Sequence, residues 1–363
     1  MAKHRAEDAH FVQYDANLFL QANEEQILPQ IVSLQQILPL LPQLISQAAF
    51  ASQKAAYKKF SSNLVTLPPV QTLGGGTNPP LKGKGQTCVK TGYTNDDDIF
   101  VIKVAGSAPT HGNTGLMQVY SQCSCSLEKI IFDGGLLTEI RTAAASCVGT
   151  QLVLGKNKLN SEHDFKIGIV GTGVQAVWQL RFLRLITNVR KVRIFSRSEE
   201  NRRKFKETMA SGPAMDREWD IELCDDAKRD IAESCNLIHT LTPATAPIFG
   251  HSFHFQPTDD VHITAVGADA PGKQELTRQS IKNAKLLLCD NVKQSRERGE
   301  FQGEELETVY RMGRIKEIGT VLCKSSSDDK GLLQAGLSIF DTSGIASQDI
   351  EIVKLATKLL DGN

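Results

Sequence analysis

Apolar positions follow helical spacing at both ends of the chain and collect into short runs between them. Near the start, Leu28, Ile31, Leu34, Ile37 and Leu38 recur at intervals of three and four, and Leu41, Leu44, Ile45 and Phe50 continue the pattern more loosely. Pro29, Pro39 and Pro42 cut this region into short helices, because proline lacks the N–H that a helix interior needs. Short alternating runs then take over at Leu64–Leu67, Thr87–Tyr93, Ile99–Ala105, Leu116–Ser121 and Lys129–Phe132. Turn-rich stretches such as Gly74 to Pro80 separate them, and the pattern predicts an antiparallel sheet. A helix of small residues follows from Thr138 to Val153, and then a polar linker from Gly155 to Asp164.

Beyond the linker the period changes again. An apolar run at Lys166 leads into a helix over Val174 to Thr187 and a second strand over Lys191 to Ser196. Later strands are expected at Cys235–Leu241, Val261–Val266 and Lys285–Asp290. The last helical pattern, Ser347–Leu360, carries Ile350, Ile352, Val353, Leu355 and Leu359 and is expected to pack back on the first domain. The fold class is therefore α/β. A Rossmann-type dinucleotide-binding domain over 151–336 joins an α+β substrate-binding and dimerisation domain made of 1–150 and 337–363. No internal repeat is visible.

The strand–turn–helix at Lys166 reads KIGIVGTGVQA. Gly171 permits the sharp turn, and Gly173 has no Cβ to keep a pyrophosphate from the main chain. Ala176 lets the helix pack close to the strand, and Val174 and Gln175 open a helix whose free N–H groups attract an anion. A glycine-rich turn alone is weak, since such turns also occur without a ligand. The following helix and second strand complete a half-unit of the expected length. At the tip of that second strand stand Ser196, Arg197 and Ser198, with no carboxylate to bind ribose hydroxyls. A guanidinium and two hydroxyls suit a 2′-phosphate, so NADPH is expected as the preferred cofactor, with NADH as the alternative. Arg197 as a solvated loop residue is the plainer reading.

Composition changes this picture little. Of 363 residues, 40% are apolar and 23% charged, with a formal net charge of zero, which argues against a nucleic-acid-binding surface. The opening MAKHRAEDAH is too polar for a signal peptide, and Leu34–Phe50 is too short and interrupted to span a membrane. Cys88, Cys123, Cys125, Cys147, Cys224, Cys235, Cys289 and Cys323 form no CxxC pair. No metal site is expected, and the thiols are expected to be reduced in a cytoplasmic protein.

Two more segments carry chemistry: DGGLLTEIRTAAA from Asp133 and VGADAPGKQEL from Val266. With GTGVQA and the late TSGIASQD (Thr342–Asp349), they resemble the ornithine cyclodeaminase and mu-crystallin family, in the same order, from Val89 to the C-terminus. The resemblance implies a homodimer built through the first sheet. It also implies NAD(P)-linked hydride transfer at the α-carbon of an α-amino or α-imino acid. Arg141, in the matching RTAA, would grip the substrate carboxylate; by spacing alone it is a buried anchor or an exposed solubilising charge. Lys103, in FVIKVAG, is a solvent-facing strand lysine by alternation and an active-site lysine by resemblance. Asp269, at the end of HITAVGAD, is a helix cap or turn former by position and the general acid/base by resemblance. Thr240 and Thr242 are expected to line the nicotinamide, Val266 and Gly267 to pass beneath it, and Thr142 to lie with the cofactor residues.

Three departures bear on the substrate. Where the best-known cyclodeaminases carry glutamate, this chain has Lys90 in TCVKTGY, a cation unfavourable to the side-chain amine of ornithine. Where the family often has an arginine that helps bind the carboxylate, PPVQTLGG offers Gln71. The loop AGSAPTHGNTG after Lys103 is shorter than usual and lacks the common Asn-Pro. The expectation is an imine or ketimine reductase or amino-acid dehydrogenase acting on a small amino or imino acid, with Lys90, Lys103 and Arg141 on its carboxylate. The alternatives are deaminating cyclisation and a binding protein for NADPH and a small carboxylate.

Overall fold

The computed structural model describes residues 28–74, 85–108, 112–161, 165–324, 330–333 and 335–362. Seven strands form the first sheet: β1 (Gln30–Ser33), β2 (Val65–Thr66), β3 (Gln71–Gly74), β4 (Gln86–Thr94), β5 (Phe100–Ala108), β6 (Gly112–Tyr120) and β7 (Leu127–Phe132). They run in the order β1-β7-β6-β5-β4-β2, with β3 also on β4. All pairs are antiparallel except β1 with β7. Because side chains alternate across a strand, the sheet has two unlike faces. Val101, Lys103, Met117, Val119 and Ile131 are buried on the inner face, whereas Ile31, Leu73, Tyr93 and Phe132 are exposed on the outer one.

Eight strands form the second sheet: β8 (Ile167–Val170), β9 (Lys191–Phe195), β10 (Asp220–Cys224), β11 (Leu237–Thr240), β12 (His262–Ala265), β13 (Leu286–Cys289), β14 (Ile315–Glu317) and β15 (Ser338–Asp341). Every pair is parallel, in the order β10-β9-β8-β11-β12-β15-β13-β14. The chain winds outward from β8 to β10, then restarts at β11 on the other side of β8. This reversal opens a crevice at the carboxyl ends of β8 and β11, where a doubly wound sheet binds its ligand.

Six helices matter here: α1 (Gln47–Ser61), α2 (Leu136–Leu159), α3 (Val174–Leu183), α4 (Glu199–Ser211), α5 (Val292–Arg298) and α6 (Ala346–Leu360). The small residues of α2 have a packing reason. A Cβ on Gly149 would stand 2.2 Å from the Phe340 ring of β15, so this helix lies close against the parallel sheet. Its N-terminal half then reaches the first sheet, which makes α2 a wall common to both units. As expected, α6 returns to the first unit and packs on α1, α2, β4 and β5.

Three expectations need correction. Gln30–Ser33 is a strand in a stretch read as helical, because Val32 is buried beside β7. The linker expected from Gly155 is instead a continuation of α2 to Leu159, after a kink where Gly155 takes φ 70°. The expected boundary at 337 cuts off β15, which sits inside the parallel sheet between β12 and β13, so the return to the first unit begins after Asp341. Among the described residues no helix is long and apolar enough to cross a membrane. Residues 162–164 of the expected linker, 75–80 of the expected turn and 109–111 of the loop after Lys103 lie outside the described residues.

Candidate active site

A cleft of about 420 Å³ lies between the two sheets. One wall comes from the inner face of β4 and β5. The register sets Lys90 directly opposite Lys103, and both side chains are buried. Arg141 reaches the same wall from α2 and is also buried. Two like charges on facing strands repel, and a counter-ion relieves the one on Lys103. Asp349, in the first turn of α6 and 1% exposed, supplies it. Its Oδ1 accepts from Lys103 Nζ at 2.9 Å and from Arg141 Nε at 2.9 Å. Oδ2 is buried with no partner among the described residues. Burial raises the Asp349 carboxyl pKa, but Lys103 and Arg141 outweigh it and hold the group below its ordinary value.

The guanidinium is fixed from behind. Arg141 Nη1 donates to Gln348 Oε1 at 3.1 Å, Gln348 Nε2 to the Tyr57 hydroxyl at 2.8 Å, and that hydroxyl to Asp290 at 2.7 Å. Asp290 also accepts from the Gly344 N–H at 2.7 Å. Gly344 has φ 77°, and a Cβ there would stand 2.5 Å from Arg141 Nη1, so the turn before α6 must be glycine for the arginine to fit. Lys90 points into the same cleft but has no carboxylate. Its Nζ donates to Gly344 O at 2.7 Å and Ser343 O at 3.3 Å. Burial first, then Lys103 and Arg141, push the Lys90 ammonium down to about 7.

The opposite wall comes from the carboxyl ends of β8, β11 and β12. Gly171 takes φ 119°, and its N–H donates to Phe195 O at 2.8 Å, which ties the glycine turn to the end of β9. A Cβ added to Gly173 would meet nothing within 4 Å, and this residue caps α3 without any side-chain bond. That open, donor-rich turn fits the pyrophosphate of a dinucleotide. Val174 and Gln175 follow it into the cleft lining. Gln175 is held by Glu139, which Asn113 also contacts at 3.1 Å. Thr142 lines the cleft too, although its hydroxyl is spent on Thr138 O at 2.7 Å.

Glu275 organises this wall. Fully buried, it accepts from the Thr240 hydroxyl, the Thr242 N–H and the Thr242 hydroxyl at 2.7 Å each, and from the Gly267 N–H at 3.0 Å. Its own N–H donates to Glu300 at 2.9 Å. Burial raises the Glu275 carboxyl pKa, against the pull of the hydroxyl and amide donors. Thr242, Val266 and Gly267 line the cleft, whereas Thr240, expected to line it, is fully buried and serves the clamp. Asp269 follows with its side chain about half exposed to the cleft (54%) and paired to Lys273 at 2.5 Å. The cleft walls crowded around it work to raise its carboxyl pKa by partial desolvation, but Lys273, Lys90 and Arg298 outweigh them and lower it.

The structure thus brings Lys90, Lys103, Arg141 and Asp269 to one cleft. Gln71 is not with them. It pairs with Val89, so it shares the outer face of the sheet, while Cys88 and Lys90 take the inner one. Ser196, Arg197 and Ser198 stand outside the cleft lining, beyond the end of β9. Arg197 is exposed there, and the Ser198 hydroxyl caps α4 through the Asn201 N–H at 3.2 Å. Asp349, Glu275, Arg298 and Lys273 were not singled out from the sequence, although the first, second and last stand in segments that were. Among the described residues no three His, Cys, Asp or Glu side chains are grouped to hold a metal.

Comparison with known proteins gives a consistent answer. An uncharacterized cyclodeaminase of Sinorhizobium fredii is 28% identical over 302 residues, covering 81% of this chain and 85% of its own length. The iminosuccinate reductase of Paracoccus denitrificans, solved with NAD+, superposes with a TM-score of 0.72 at 23% identity, covering 92% of this chain and 96% of its own. The Δ1-pyrroline-2-carboxylate reductase of Thermococcus litoralis, solved with NADH and L-proline, gives 0.74 at 19% identity, covering 92% and 98%. At these identities the superpositions establish a common fold. The sequence profile of the ornithine cyclodeaminase/mu-crystallin family matches residues 81–361, and the chain belongs to that family.

Proposed function

We propose that this protein is an NAD(P)H-dependent oxidoreductase of an α-imino or α-amino acid. The observation that carries the reading is the cleft itself: Lys103 and Arg141, held by Asp349, face Asp269 beside the glycine turn of the parallel sheet. A bound nicotinamide would supply a hydride to the carbon of a C=N bond, or accept one from the corresponding amine. Arg141 and Lys103 would hold the substrate carboxylate, and the buried network behind Arg141 would fix its direction. Ionised Asp269 suits both directions. It pairs with the positive charge of an iminium, and it accepts the ammonium proton when an amine is oxidised. The iminosuccinate and pyrroline-2-carboxylate reductases of the same fold lend support, because both names describe C=N chemistry beside a carboxylate.

Two finer points belong to the same reading. NADPH is the preferred cofactor, since Ser196, Arg197 and Ser198 leave β9 without an acid at its tip; a tighter dissociation constant for NADH would reverse this. The protein is a homodimer through the outer face of the first sheet, where Ile31, Leu73, Tyr93 and Phe132 are exposed. Light scattering of purified protein reads that state, and a monomer at micromolar concentration would overturn it. Free cysteines throughout the described chain accord with a reducing, cytoplasmic setting, which cell fractionation checks.

The test is oxidation of NADPH and NADH against a panel of cyclic and acyclic imino acids. Wild-type protein should turn over at least one of them. Asp269→Asn should lower kcat by about 10²–10⁴-fold while folding and binding the cofactor. Cofactor binding without any turnover, in either direction, would leave a binding protein instead of an enzyme.

A further inference from the structure

The positive charge of the cleft exceeds what its carboxylates neutralise. Lys90, Lys103, Arg141, Lys273 and Arg298 line it, against Glu139 and Asp269. Lys103 and Arg141 have Asp349 behind them, and Lys273 has Asp269. Lys90 and Arg298 remain. Each is 8% exposed, and each is held by main-chain carbonyls: Lys90 by Ser343 and Gly344, Arg298 by Asp269 O at 2.9 and 2.7 Å. Among the described residues neither forms an ion pair with a carboxylate. A carbonyl dipole orients a cation without neutralising it, so both charges stay costly until an anion arrives.

The two cations border one patch. Arg298 Nη2 lies 3.9 Å from Cys88 Sγ, and Cys88 and Lys90 are two residues apart on the inner face of β4. Across the register from Lys90 stands Lys103, which begins the first carboxylate clamp. The cleft therefore holds two cationic subsites side by side. The first has two cations ion-paired to one built-in carboxylate; the second has two cations and no ion-paired carboxylate, only the longer-range charges of Asp269 and Asp349.

We propose that Lys90 and Arg298 form a second anion subsite, and that the substrate is a dicarboxylic α-imino or α-amino acid. The proposal rests on the reading of Lys103 and Arg141 as the clamp for the α-carboxylate. The second carboxylate sits against β4, which orients the imine carbon toward the parallel sheet, between two fixed ends. Two anchors at opposite ends of a short molecule also discriminate, because a substrate ending in a methyl group leaves Lys90 and Arg298 buried and unpaired.

The experiment compares 2-oxoglutarate with 2-oxopentanoate, which match in chain length and differ in the terminal carboxylate. Calorimetry with NADP+-saturated protein reads affinity without turnover, and NADPH oxidation with each 2-oxo acid plus ammonia reads the imines. The dicarboxylate is expected to bind, and its imine to be reduced, at least about tenfold better. Lys90→Met and Arg298→Met should each bring that ratio down toward one. Equal affinity for the two acids in wild-type protein, a comparison that needs no variant to fold, would overturn the subsite. So would a ratio that neither substitution moves. A binding preference without reduction of any imine would keep the subsite and sink the enzyme reading. Reduction of both imines at one rate would do the reverse.

Discussion

On the wall built from β4, β5 and α2, one buried carboxylate holds two cations. On the wall built from β11 and β12, another holds four donors that carry no charge. Asp349 and Glu275 are both fully enclosed, yet they do different work. Asp349 makes it possible to keep Lys103 and Arg141 in the cleft before any substrate is present. Glu275 ties together the ends of two parallel strands, whose free N–H groups would otherwise face inward unpaired. The first wall concentrates charge, where the proposed function puts the substrate carboxylate; the second fixes backbone, where it puts the cofactor.

The largest effect should follow from Asp349→Ala. It leaves two buried cations unneutralised, and breaking such an arrangement costs about 3–5 kcal/mol. Denaturant unfolding should show that loss, and formate, which can enter the vacated space, should restore part of it. If Asp349→Ala unfolds at the wild-type midpoint, Lys103 and Arg141 do not depend on it and the contrast between the walls collapses.

Glu275→Gln should cost less, about 1–3 kcal/mol, because an amide retains one acceptor oxygen but turns an NH₂ toward donors that need an acceptor. The diagnostic is where the loss appears. The main-chain segments Leu241–Pro243 and Val266–Gly267 line the cleft, so the cofactor dissociation constant should rise with little change in affinity for a 2-oxo acid. A variant that instead loses 2-oxo-acid affinity would mean that the walls are not separable.

Parts of both walls were legible in the chain, and the missing parts have a common cause. The turn at Gly171 and Gly173 could be read as a strand–turn–helix because its geometry is local: a few consecutive residues make it. Alternation placed Lys103 in a strand, and the small-residue run marked α2 as a close-packed helix carrying Arg141. Partners could not be read. Lys103 meets Asp349 across 246 positions, and Glu275 meets Thr240 across 35. Neither distance leaves a trace in spacing or periodicity. Gln71 failed for a related reason. Its side depends on whether it pairs with Val89 or with a neighbour, and a shift of one residue reverses the face. The strand SIFD escaped because four residues buried on both sides show no alternation to detect.

The smallest effect is the sharpest on the first wall. In the folded protein, burial, Lys103 and Arg141 lower the Lys90 ammonium from 10.5 to about 7; Arg298 from α5 adds to this and Asp349 from α6 opposes it. Between those two values the folded chain binds fewer protons at Lys90 than the unfolded chain does. The Lys90 contribution to stability is therefore least favourable below about pH 7 and improves as pH rises through that window. Ligand binding runs the other way. A terminal carboxylate needs the charged ammonium, so above about pH 7 each molecule of 2-oxoglutarate bound must bring a proton with it. Its affinity should weaken by up to about tenfold per pH unit, or about 1.4 kcal/mol, relative to that of 2-oxopentanoate. Calorimetry in buffers of different ionisation enthalpy would count the proton directly, and Lys90→Met should remove it. If the ratio of the two affinities stays flat from about pH 6 to about pH 9, Lys90 is not charging to meet the ligand. The excess positive charge on β4 would then be structural, and the first wall would resemble the second.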